Sequence, residues 1–245
     1  MRRKLLLFCM ACLFTFPMLH AQFPTNIGIP SWALQLITDF VAKPDEFFID
    51  LQNDIDDHAS TIGAQRVQVY TSLFWDLTTM VNLGLKVHVY DETDYIPRIT
   101  VGVAGWYAVA FLALPRDIAT GRMWGLSPAV SASKTIDENI TGFGGFKYMI
   151  GNVYMSLGSN IAGGLSASGV PTSINSVYQA PTVFGGFALK TGEKTEAVIS
   201  GGYIFGKWKP YMQLQYSFPS WNLGVSLYPE AMFVVHPFIN FQLKF

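Results

Sequence analysis

Three histidines beyond the first twenty-one residues, His58, His88 and His236, are the side chains best suited by ordinary pKa to acid–base work near neutrality. His88 stands two residues from Lys86 and two from Tyr90, so all three share one face of an extended chain. His236 lies in a similar alternating run near the C-terminus. Neither has a serine and a carboxylate at a spacing that would assemble a nucleophilic triad locally, and the pattern favours hydrogen-bonded histidines over catalytic ones. The acidic cluster Asp54, Asp56, Asp57 resembles the start of a calcium loop. It has Ala59 where such a loop needs glycine and Gln65 where it needs the distal glutamate, which excludes that reading. The glycine pairs at 144–145, 163–164, 185–186 and 201–202 precede neither a helix nor a Lys-Ser/Thr, so they cradle no phosphate. In strands they would serve bends or make room for bulky neighbours. No catalytic residue, metal site or cofactor is predicted.

Composition narrows the class. Of 245 residues half are hydrophobic and 13% charged, and 6 Trp, 11 Tyr and 19 Phe are present. That is too apolar for a disordered chain, and a net charge of -1 argues against nucleic acid as a partner. Arg2, Arg3 and Lys4 lead an apolar stretch to Leu19 that ends on Ala21, the pattern of a secretory signal peptide over residues 1–21. Its removal takes both cysteines, Cys9 and Cys12, and leaves 13 basic against 17 acidic residues.

Residues 22–60 hold seven acidic residues and one lysine, whereas 61–245 hold 12 basic and 10 acidic. Pro30 and Ser31 suit a first helix start. Pro44, Asp45 and Glu46 suit a second, with Phe47, Phe48, Leu51 and Ile55 as its apolar stripe and Asp50, Asp54 and Asp57 opposite. This segment reads as a plug or periplasmic cap, or as an amphipathic hairpin with a solvated acidic face.

From about residue 65 the dominant period is two. Val81, Leu83, Leu85, Val87 and Val89 alternate with Asn82, Gly84, Lys86, His88 and Tyr90; Trp208 to Phe218 and Trp221 to Leu227 repeat the pattern. Eleven runs emerge, near 65–74, 80–90, 97–111, 122–133, 139–149, 152–161, 181–190, 195–205, 208–218, 221–228 and 233–245. Short links join most of them, Gly151-Asn152 among these, which predicts antiparallel hairpins. Ser159 to Ala180 reads as the longest loop. Ile99 to Leu114 is uncharged but interrupted by Gly102 and Gly105 and too short for a membrane helix, so it is read as a strand.

The face opposite the apolar one carries Gly, Ser, Asn, Gln and Tyr rather than charge, and charges gather between runs: Asp91, Glu92, Asp94, Arg116, Asp117, Glu193 and Lys194. Tyr90, Tyr95, Trp124, Tyr148, Trp208, Trp221 and Tyr228 cluster near run ends. An antiparallel transmembrane β-barrel of about 10–12 strands, spanning 61–245, satisfies this pattern, because hydrocarbon demands a closed sheet with an apolar exterior and aromatic girdles. The inward face would carry Lys86, His88, Lys147, Lys209, Gln213, Gln215, Asn240 and Gln242. Tyr211 and Tyr228 would narrow the lumen.

Phe233, Val235, Pro237, Ile239, Phe241, Leu243 and the terminal Phe245 share one face of the last run. This resembles the C-terminal insertion signal of Gram-negative outer-membrane β-barrel proteins, carried here by Phe241, Leu243 and Phe245. The resemblance implies location in the cell outer membrane, with outer-membrane lipid and the insertion machinery as partners. An odd number of runs departs from the even count of bacterial barrels. One must be false, split or joined by another, and 65–74 is the weakest. The expected role is a narrow, porin-like pore for small solutes. The alternatives are a barrel that displays surface loops to a ligand and a lipid-modifying enzyme using His88 and His236.

Overall fold

The computed structural model describes residues 42–55, 66–73, 80–109, 112, 115–117, 119–158, 172–231 and 234–245. The expected signal peptide and the first helix fall outside these. Helix α1 (Pro44–Ile55) is followed by ten strands: β1 (Val67–Ser72), β2 (Met80–Tyr90), β3 (Arg98–Ala108), β4 (Ala119–Asp137), β5 (Ile140–Leu157), β6 (Ser173–Gly192), β7 (Thr195–Ile204), β8 (Lys209–Ser217), β9 (Trp221–Leu227) and β10 (Val235–Lys244). Each strand pairs antiparallel with the next, and β1 pairs with β10, so the sheet closes. At the seam Gln68 faces Lys244 and Ser72 faces Asn240. The Val67 N–H donates to the Phe245 carbonyl at 3.2 Å, and the Phe245 N–H donates back at 2.8 Å.

Period-two alternation places one set of side chains inside and the other outside. In β10, His236, Phe238, Asn240 and Gln242 are buried, while Phe241 and Leu243 are 44% and 61% exposed. In β2, Leu83 is 60% exposed and Asn82 is buried. Strand charge that does not face inward is confined to the ends of β4, at Arg122, Lys134 and Asp137. Water would not tolerate so continuous an apolar exterior on a monomer, and hydrocarbon requires it. Strands β2, β3, β7, β8 and β10, of nine to eleven residues, match the length a tilted strand needs to cross a bilayer. The chain is an integral β-barrel of the outer-membrane type, closed by ten strands, with one short N-terminal helix among the described residues.

Several expectations need correction. The runs at 139–149 and 152–161 are one strand, β5, which restores an even count, and the weak run at 65–74 is β1. Gly151 is not a turn glycine. It pairs directly with Tyr178 of β6, whose ring lies over it and occupies the space a Cβ would take. Asn152 continues the ladder opposite Val177. The expected loop 159–180 ends sooner, because β6 begins at Ser173 and its inward positions hold Ile174, Tyr178 and Ala180. Its polar residues Ser173 and Asn175 fall on the other face of the same alternation and resemble loop composition. The uncharged segment 99–114 is β3 over Arg98–Ala108, and no helix among the described residues is long and apolar enough to cross a membrane.

Glycine and aromatic residues form a repeated joint on the inner wall. Tyr70 pairs with Gly84, Trp106 with Gly125, Phe184 with Gly145, Tyr178 with Gly151, Tyr211 with Gly202 and Phe238 with Gly224. In each pair the ring lies where the glycine's Cβ would project. A large ring thereby rests along the wall instead of across the lumen.

Candidate functional site

The even strand count puts the start of β1 and the end of β10 at the same end, here called the terminal end. The turns 91–97, 138–139, 193–194 and 218–220 lie there too. The connections 73–79, 109–118, 158–172, 205–208 and 228–234 lie at the loop end and are mostly longer.

Helix α1 sits inside the loop-end mouth. Pro44 opens it with a preset φ and no amide hydrogen to lose, and Asp45 and Glu46 complement the partial positive charge of its first turn. Its contacts reach inward side chains of β3, β6, β8 and β10 around the circumference, so it is enclosed by the wall. Phe48 stacks on Trp106 with ring centroids 5.4 Å apart, and Ile49, Leu51 and Ile55 are buried with it. Fully burying an aliphatic or phenyl side chain contributes roughly 1.5–3 kcal/mol, so these four supply most of the attraction.

The acidic face is buried as well, unlike the solvated face of the hairpin alternative: Asp50 and Asp54 are 2% and 1% exposed. Lys209, the first residue of β8, pairs with Asp50, and Lys207 in the preceding turn pairs with Asp45. That turn carries the left-handed residues found among the described residues, Gly206 at φ 83° and Trp208 at φ 55°. His236 Nδ1 lies 2.6 Å from Asp54 Oδ2. The Tyr228 hydroxyl donates to Asp54 Oδ1 at 2.7 Å and accepts from Asn53 Nδ2 at 2.7 Å. Gln52 Oε1 accepts from the Tyr178 hydroxyl at 2.5 Å and from Trp106 Nε1 at 3.4 Å. Apolar contacts supply affinity here, and the charged and hydrogen-bonded contacts fix register, because a buried ion pair gains little over its desolvation cost.

All eight lumen candidates project inward. Lys86 lies over the Tyr70 ring at 5.2 Å, and Lys147 is fully buried on β5. Gln213 donates to Ser226 Oγ at 3.0 Å, and Gln215 donates to Ser217 Oγ at 2.7 Å. Gln242 accepts from Gln68 at 2.7 Å and donates to Asn222 at 3.0 Å. Asn240 is buried with no hydrogen-bond partner for its amide among the described residues. His88 and His236 are not brought together: His88 lies near the terminal end of β2 and His236 near the loop end of β10. Phe241, Leu243 and Phe245 face outward. His58 lies outside the described residues. The alternation pattern did not single out Trp106 and Tyr178 as holding the helix, nor give Tyr228 that role. Their only sequence signal is the pairing of an acidic helix with inward lysines.

At the terminal end a cavity of about 280 Å³ opens between β3 and β7, lined by Arg98, Ser133, Thr141, Lys190 and Glu196 among others. Glu92, Glu138 and Glu193 come to its rim from the turns. Partial burial works to raise the Glu92 pKa. The Thr135 N–H at 2.8 Å, the Thr135 hydroxyl at 3.0 Å and Lys134 outweigh it and hold the carboxyl below the usual glutamate value.

No family model matches the chain, and no curated protein matches its sequence. Among solved structures it is similar to Ail, the attachment invasion locus protein of Yersinia pestis, at 9% identity and a TM-score of 0.35. The match covers 73% of this chain and 97% of Ail, and is too distant to bear on role.

Proposed function

We propose that this protein is a narrow outer-membrane channel for small solutes, held closed by its own N-terminal helix. The observation that carries the reading is the mixed interface of α1, where Asp50 and Asp54 are buried against Lys209, His236 and Tyr228 on the wall. A permanent filling of the mouth would be served as well or better by apolar packing, whereas paired charges give a seat that is specific and can be vacated. Beyond the helix the wall is polar, with Gln68, Gln213, Asn222 and Gln242 bonded to one another or to their neighbours. Short turns mark the periplasmic side of such barrels, which supports reading α1 as a plug in the outward-facing half.

Planar-bilayer recording of the refolded full chain tests this. The wild type is expected to be mostly closed and Asp50→Asn/Asp54→Asn to open in discrete steps, because Lys209 is left buried without its counter-charge at a cost of about 3–5 kcal/mol. A folded double variant as silent as the wild type would rule the channel out. The grouping of the longer connections at one end favours a second reading, a barrel that displays loops to a ligand. That reading requires binding to survive in a silent barrel and to disappear when 159–171 are removed. In either case Phe241, Leu243 and Phe245 offer an outward apolar edge to the insertion machinery.

A further inference from the structure

We infer that the lumen is an anion-binding path, and that the carboxylates of α1 stand in the positions where carboxylate-bearing solutes bind. This rests on the helix-closed channel proposed above. The inner wall is unevenly charged: Lys86, Arg98, Lys147, Lys190, Lys209 and Lys244 project inward from six of the ten strands, and Glu196 of β7 is the one inward carboxylate among the described strand residues. These cations extend from the terminal end to the loop end. Lys86, Arg98 and Lys244 all act electrostatically on His88 at one mouth, and Lys209 lies at the other.

The compensating charge is brought by the helix, whose Asp45, Glu46, Asp50 and Asp54 are its only ionisable side chains. The two deepest contacts are a carboxylate on a lysine and a carboxylate between a histidine and a tyrosine hydroxyl. Those donors would serve a free carboxylate equally well, with Lys209 supplying charge and the Tyr228 hydroxyl supplying direction. Helix α1 is then a tethered competitor: when it leaves, its anion sites are vacated and the field of the wall, concentrated by low-dielectric surroundings, raises the local concentration of anions. The turn carboxylates Asp91, Glu92, Glu138 and Glu193 lie at the rim of the opposite mouth; Asp91 also acts on His88 but is paired with Arg66, and Glu92 is paired with Lys134.

The test is the reversal potential of full-length Asp50→Asn/Asp54→Asn in a tenfold potassium chloride gradient, followed by addition of succinate to the loop-end side. Refolding is checked first by heat-modifiable gel mobility, and Asp54→Asn alone takes its place if the double variant does not fold. Chloride is expected to permeate several-fold better than potassium. Succinate is expected to reduce the chloride current, and Lys209→Gln in the same background to relieve most of that block. Discrete openings that prefer potassium, or that ignore succinate, would overturn the anion site while leaving the helix-closed channel standing. A folded variant without openings would remove both.

Discussion

Replacing Gly151 by alanine gives opposite signs under two views of that residue. If Gly151 were an ordinary strand glycine, alanine would stabilise the barrel by about 0.5–1 kcal/mol through lost unfolded-state entropy. The structure says otherwise. A Cβ at 151 would stand 2.6 Å from Tyr178 Cε1, with the outer end of the ring closer still, whereas real Cβ contacts stay beyond about 3.0 Å. Tyr178 must therefore shift by several tenths of an ångström or more toward the helix. Its hydroxyl is already 2.5 Å from Gln52 Oε1, so it has no slack in that direction. Overpacking of this kind costs about 1–3 kcal/mol, and loss of the hydrogen bond about 1 kcal/mol more. After the entropic gain is subtracted, Gly151→Ala is expected to destabilise by about 1–3 kcal/mol. Urea unfolding of the refolded protein in micelles, followed by tryptophan fluorescence and gel mobility, measures it. Gly144→Ala is the control: it faces outward and its Cβ would meet the Phe184 carbonyl oxygen at 3.4 Å and Gly185 Cα at 4.0 Å, ordinary contacts, so little change or a small gain is expected. Adding Tyr178→Leu to Gly151→Ala should recover part of the loss. If Gly151→Ala were as stable as the parent, or the leucine recovered nothing, the ring-over-glycine joint would not be the constraint described here.

Reversing one seat of the helix, Lys209→Glu, sets two carboxylates against each other at a buried site; it is expected to open the conductance, and Asp50→Lys added to it should close it again. Glu92 holds the turn 91–97 against the end of β4, and its depressed pKa means this tie is intact at neutral pH and lost as pH falls below the usual glutamate range. The protection factor of the Thr135 amide, its exchange rate relative to the unprotected rate at the same pH, should therefore fall in acid, and Glu92→Gln should remove that pH dependence. Deleting Phe245 removes both backbone hydrogen bonds at the seam end, each worth about 1 kcal/mol, and its expected effect is slower acquisition of the heat-modifiable form in vesicles. An unchanged rate would mean the seam closes without its last residue.

The class of fold was legible because period-two alternation is a direct imprint of strand geometry, and the outward run of Phe241, Leu243 and Phe245 follows it to the last residue. Strand boundaries were less legible where glycine has two meanings. Gly151-Asn152 has the composition of a turn, and only the partner strand reveals that the glycine accommodates Tyr178. The inward orientation of Lys86, Lys147, Lys209 and Gln242 followed from parity alone. What parity could not supply was depth, or which of these residues meets the helix. Asp50 with Lys209 and Asp54 with His236 are 159 and 182 residues apart in sequence, and no local spacing encodes such a meeting.

The first and last strands meet only across the seam, where Gln68 and Gln242 lie 174 positions apart. Until that meeting the sheet has two raw edges, and each offers unpaired amides and carbonyls to any other chain. Contacts this distant in sequence form slowly, because the entropy of a long loop must be overcome before they contribute. A nascent molecule must therefore pass through a curled, open sheet that is complete in every hairpin and lacks only the seam. That intermediate is the species most exposed to misassembly, and its lifetime is set by how quickly β10 finds the six residues of β1.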